Sequence, residues 1–144
     1  MPATPLKILV IENEPDRLIY IYNLLKAHGF EPLTAVDPVE ALSKARSQRP
    51  SLIVLDAMLP ADQIQLVYGK LKSDPSLRQV PTVMLSSLTR LKHGHFQGHP
   101  FAPSIGRWPA PEAFLPNPPE AEDFIAVVRR LTSMRKDTHN TEEV

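Results

Sequence analysis

The chain contains no cysteine, which excludes a disulfide scaffold and thiolate metal centres and is compatible with a reducing compartment. Its five glycines form neither a P-loop nor a dinucleotide-binding spacing. Neither sign of charge is in excess. Sixteen Lys and Arg balance sixteen Asp and Glu, so no broad electrostatic footprint points to nucleic acid or to an anionic membrane. Long apolar runs are also missing: Lys7-Ile-Leu-Val-Ile11 gives way at once to acidic residues, too short for a signal-peptide core or a membrane span. The expectation is a soluble, cytoplasmic protein with no direct nucleic-acid or membrane partner. What the 144 residues do hold is 42% hydrophobic and 22% charged side chains, enough for one core and too few for two large ones. Proline is the surplus, sixteen in all, concentrated between Pro100 and Pro119.

Periodicity divides the chain into alternating elements. Lys7–Ile11 is continuously apolar and β-branched, as in a strand covered on both faces. From Pro15, the spacing of Leu18, Ile21, Tyr22 and Leu25 predicts an amphipathic helix, with Gly29 placed to cap it. Residues 31–35 suit a second strand. Asp37-Pro38-Val39-Glu40 then supplies an N-cap acid, a proline at the first helical position and a capping-box glutamate, starting a helix that runs to about Gln48. Ser51–Leu55 is a third strand, ending at Asp56. Ile64, Val67, Tyr68 and Leu71 mark a third helix, and Thr82–Ser86 a fourth strand. Glu120–Met134 is a strong helix with Phe124, Val127, Val128 and Leu131 as its buried stripe, followed by a frayed polar tail, 135–144.

Such alternation implies an α/β fold, with a parallel sheet between two layers of helix. One domain over 1–134 is expected, interrupted by an irregular Pro/Gly/His-rich segment, 89–119. Within it a short fifth strand falls around Ala113–Leu115, which Pro116 should cut off. His93, His95 and His99 have a spacing that could hold a transition metal. No carboxylate or cysteine completes the set, and solvated loop histidines are the preferred reading. Trp108 is read as packing on the core, with a partner anchor or a plug over the site as the alternatives.

In open parallel sheets, chemistry gathers beyond the carboxyl ends of the strands. Here the first strand runs into Glu12-Asn13-Glu14, the third ends in Asp56, and the fourth in Ser86-Ser87. Apolar strands that each end in an acid or a hydroxyl would line a small, oxygen-rich pocket for a hard cation. Glu14 and Asp16 are read instead as first-turn acids favoured by the helix dipole.

The stretches Ile8–Asp16, Pro50-Ser-Leu-Ile-Val-Leu-Asp-Ala-Met-Leu-Pro60 and Val83–Ser86 resemble a response-regulator receiver domain, over about Lys7–Leu88 and again over Ala113–Leu131. The resemblance implies a flavodoxin-like five-stranded sheet of order 2-1-3-4-5, with the irregular segment replacing or distorting the family's fourth helix. It implies that Asp56 is the phosphoacceptor, served by a histidine kinase, and that Glu12, Asn13 and Asp56 hold Mg²⁺. Asn13 stands where the family has an acid. At an effective dielectric near 20, one unit of charge at about 4 Å is worth about 4 kcal/mol before hydration costs, so the cation is expected to be held weakly. Ser86 takes the place of the hydroxyl that contacts the phosphoryl group, Asn117 that of the family's lysine, and Phe114 that of its aromatic switch. Lys92, Arg90 and Arg107 are the candidate substitutes for the missing cation.

Three functions compete. The first is a stand-alone receiver signalling through protein contacts with a histidine kinase or another signalling protein, homodimerisation being common in the family. The second is a pseudo-receiver that acts as an interaction module without phosphorylation. The third, a flavin- or nucleotide-binding enzyme, is disfavoured because Glu-Asn-Glu-Pro-Asp after the first strand repels phosphate; no enzyme activity is expected.

Overall fold

The computed structural model describes residues 4–86 and 108–143. Strands β1 (Lys7–Ile11), β2 (Glu31–Ala35), β3 (Leu52–Asp56), β4 (Thr82–Ser86) and β5 (Ala113–Pro116) form one sheet of order β2-β1-β3-β4-β5. Every pairing is parallel. Helices α1 (Pro15–Ala27), α2 (Pro38–Gln48), α3 (Ala61–Ser73) and α4 (Ala121–Glu143) complete the described elements. None of them is long and apolar enough to cross a membrane. The family's helix between the fourth and fifth strands would fall in 87–107, which lies outside the described residues, as do His93, His95, His99, Arg90, Lys92 and Arg107.

The strand period of two sorts the core into two layers. Leu9, Ile11, Ile53, Leu55 and Met84 face α2 and α3, meeting Ala41, Ala45, Ile64, Val67, Tyr68 and Leu71. Ile8, Val10, Leu52, Val54, Val83 and Leu85 face the other way, onto Ile21 and Leu25 of α1 and Phe124, Val128 and Leu131 of α4. That is why the strands read as unbroken apolar runs: both faces are covered.

The helix ends follow the local chemistry. The Asp37 carboxylate accepts from the Glu40 N–H at 2.8 Å, while Glu40 reaches back to the Val36 N–H at 2.9 Å, a reciprocal cap. Gly29, at φ +87, closes α1, with the Phe30 N–H donating to Leu25 O at 3.0 Å. Trp108 is half-buried against the α2–α3 layer. A Cβ on Gly69 would lie 3.0 Å from its Nε1, so α3 needs a glycine where the indole lies.

Two expectations about ends are corrected. Pro116 does not cut the fifth strand off but belongs to it, paired with Ser86. The strand is at the sheet edge, so the proline's missing N–H faces no partner strand, and the next donor, the Asn117 N–H, reaches Ser86 O at 2.7 Å. The final helix does not stop at Met134 but continues to Glu143. Nothing in Arg135-Lys-Asp-Thr-His-Asn-Thr-Glu-Glu143 is a glycine or proline, so no residue there breaks the hydrogen-bond ladder.

Candidate functional site

Register brings the site together. Ile11 pairs with Leu55, so the next residues along, Glu12 and Asp56, stand side by side beyond the sheet's carboxyl edge. Asp56 is level with Leu85 on β4, which places Ser86 one step on. Ser86 in turn pairs with Pro116, so Asn117 follows directly off β5. Four neighbouring strands thus deliver one polar side chain each to a single edge.

Glu12 and Asp56 are each 1% exposed. Two side chains straddle them. On one side Arg17, in the first turn of α1, donates from Nε to Glu12 Oε1 at 3.2 Å and from Nη2 to Glu12 Oε2 at 3.3 Å; the same Nη2 lies 3.9 Å from Asp56 Oδ2. On the other, Asn117 Nδ2 donates to Glu12 Oε1 at 3.2 Å and to Asp56 Oδ1 at 3.0 Å. Backbone groups finish the arrangement, with the Glu14 N–H on Glu12 Oε2 at 3.1 Å and the Met58 N–H on Asp56 Oδ1 at 2.8 Å. Glu14 caps α1 by accepting from the Arg17 N–H at 2.7 Å, which fixes where the arginine leaves the helix.

The two acids differ electrostatically. Burial pushes Asp56 up to about 7, the neighbouring Glu12 carboxylate adding to the rise against the opposing effects of the Met58 N–H and Arg17. Burial also works against ionised Glu12. The proton held by neighbouring Asp56, together with the hydrogen bonds from Arg17, the Glu14 N–H and Asn117, outweighs that cost and holds it below the ordinary carboxylate value. Glu12 is the partner that keeps its charge. Arg17, although burial opposes its charge, is held more firmly protonated by Glu12, Asp56 and Glu14. Three buried oxygens of the site have no hydrogen-bond partner: Asp56 Oδ2, Ser86 Oγ and Asn117 Oδ1. Buried polar atoms without partners are uncommon, and these three belong to neighbouring strand ends.

The sequence-derived residues are distributed as follows. Glu12, Asp56 and Asn117 are in mutual contact, and Ser86 is buried at the end of the adjacent strand. Asn13 is exposed. Phe114 is half-buried and packs, like Trp108, against the α2–α3 layer. Arg17 was not foreseen. The available signal was a cation in the first turn of a helix, where the dipole disfavours positive charge unless acids face it.

The expected Mg²⁺ does not fit these donors as they stand. Both Glu12 oxygens already accept two hydrogen bonds each, and Asp56 Oδ1 accepts two more. Only Asp56 Oδ2 has no hydrogen bond, and a guanidinium nitrogen lies beside it. Among the described residues no group of three or more His, Asp or Glu is placed to hold a metal ion.

No family model matches the chain. Over 83 residues it is 30% identical to the polar-differentiation response regulator DivK of Brucella anthropi, covering 58% of this chain and 68% of DivK. Over 82 residues it is 34% identical to the response regulator PleD of Caulobacter vibrioides, covering 57% of this chain but only 18% of PleD's length. The receiver domain of the sensor histidine kinase PA1611 of Pseudomonas aeruginosa, whose crystal structure has a magnesium ion coordinated in the active-site cleft, superposes with a TM-score of 0.73 at 19% identity, covering 90% of this chain and 98% of that one. At that identity the likeness is one of fold.

Proposed function

Because this chain belongs to the response-regulator receiver family, we propose that it receives a phosphoryl group on Asp56 and passes the signal on through protein contacts. The observation that carries this reading is the state of Asp56 Oδ2. It is the one oxygen of the carboxylate pair that accepts no hydrogen bond, it sits at the end of β3, where this reading puts the phosphoacceptor, and Ser86 Oγ, equally unpartnered, is available to donate to a phosphoryl oxygen.

The transfer is an in-line displacement. Oδ2 attacks phosphorus as the bond from phosphorus to the donor's leaving atom breaks, and that atom departs with the electron pair. From a kinase phosphohistidine the leaving atom is an imidazole nitrogen, which then takes up a proton. Asn117 and the Met58 N–H keep Oδ1 in place meanwhile. The reading includes no enzyme activity of its own, a histidine kinase or another signalling protein as partner, and the cytoplasm as its place.

A second reading, a phosphorylation-independent interaction module, is favoured by a different observation: Arg17 and Asn117 already bridge the acid pair. The two separate in one experiment. Purified protein and Asp56→Ala are incubated with a small phosphodonor, with and without Mg²⁺, and intact mass is recorded. One phosphoryl increment, absent from Asp56→Ala, establishes the receiver. No increment under either condition leaves the interaction module.

A further inference from the structure

We infer that Arg17 is a resident counter-ion that takes the place of the divalent cation at the Glu12–Asp56 pair and keeps that site closed to metal. The inference rests on the geometry of the pair and not on whether Asp56 is phosphorylated.

A hard dication at a carboxylate pair has to be reached by oxygens with free lone pairs, and it has to be the charge that neutralises them. Here a guanidinium does both things first. Its Nε and Nη2 form a fork on Glu12 at 3.2 and 3.3 Å, and Nη2 extends to Asp56 Oδ2 at 3.9 Å. The planar, permanently charged fork suits a carboxylate in a way that a lysine ammonium does not. The fork is also anchored at its base. Glu14 takes the Arg17 N–H, and Glu12 takes the Glu14 N–H, so two acids set both the helix start and the arginine's direction.

The remaining substitution agrees. An asparagine at position 13 offers a metal no charge, and its side chain is exposed, so losing it as a ligand costs the folded state little. Asn117 completes the enclosure from the opposite side with a neutral amide. A neutral amide there leaves Arg17 as the cation that the described residues set against the pair. The three positions, Asn13, Arg17 and Asn117, thus fit one arrangement: an acid pair answered from within the chain by one guanidinium and one amide.

The test reads metal binding directly, by titrating Mn²⁺ into the full chain and following the electron paramagnetic resonance of the free ion, with Mg²⁺ by calorimetry. Wild type is expected to show no binding at millimolar metal. In Arg17→Met combined with Asn13→Asp, affinity should rise by at least about tenfold, because one nearby cation is removed and one anion is added. In wild type the Arg17 Nε–H signal should stay in place under millimolar Mg²⁺.

Metal binding by wild type with displacement of that signal would overturn the inference. So would a folded double variant that binds metal no better than wild type. Should Arg17→Met fail to fold, Asp56→Asn is added. Recovery of the fold supports an uncompensated acid pair as the cause of the failure, and continued misfolding overturns it. Phosphorylation of Asp56 is read by mass, independently of all these outcomes, so either conclusion can fail while the other stands.

Discussion

At the scale of single residues, the acid pair sets a pH dependence whose sign can be worked out. Asp56 has its folded value near 7, raised from an ordinary 3.8 mainly by burial. Between those values the folded chain keeps a proton that the unfolded chain has released, so stability falls as pH rises through this window and the loss is complete above about 7. Asp56→Asn removes the ionisation and keeps an oxygen for the Met58 N–H. Urea unfolding should show the variant more stable by about 2 kcal/mol above pH 7, with the gain shrinking as the buffer is acidified towards 4. A gain independent of pH would contradict the assignment. Glu12, Asp56 and Ser86 were legible in the sequence because strand ends and a family pattern both mark them, and Asn117 through the family pattern alone. Arg17 was not, since nothing in a one-dimensional reading says which way a first-turn side chain projects, and the acid it serves lies five residues earlier, just past the end of the preceding strand.

At the scale of elements, α3 carries an unusual contact at Gly69. Exchanging an interior helical glycine for alanine gains about 1 kcal/mol in propensity. Here the new methyl group would meet the Trp108 ring at 3.0 Å, and Tyr68, one residue earlier, donates its hydroxyl to Pro109 O, so the segment carrying the indole is tied down beside it. Gly69→Ala is therefore expected to lower stability by about 1 kcal/mol, and in a Trp108→Ala background it should raise it instead. A thermal-unfolding double-mutant cycle distinguishes the two signs. Most elements could be read in advance, because each strand run, cap and apolar stripe is a local signal. The exceptions were both ends: a proline is compatible with an edge strand, and a polar helix with no breaker has no visible end.

At the scale of the molecule, the sheet keeps its two apolar layers apart. Ile21 is buried between α1 and one face, and Ile64 between α3 and the other. Each Ile→Val exchange should cost about 1 kcal/mol. With no shared partners, the double variant should lose the sum to within about 0.5 kcal/mol in urea titrations; marked departure would mean that the layers communicate through the sheet.

The Asn117–Glu12 bond has one more consequence, in time rather than in charge. Its partners are 105 positions apart, whereas β1 finds β2 and β3 much closer along the chain. Contacts of long sequence separation form late, because their loop entropy must be met before they return anything. The acid pair is therefore expected to assemble in two stages during folding. Arg17, five residues from Glu12, is present from the first, and the amide arrives only with the docking of β5. A nascent chain that has reached Ser86 already carries both carboxylates and their cation, and the last strand adds only an uncharged donor to them.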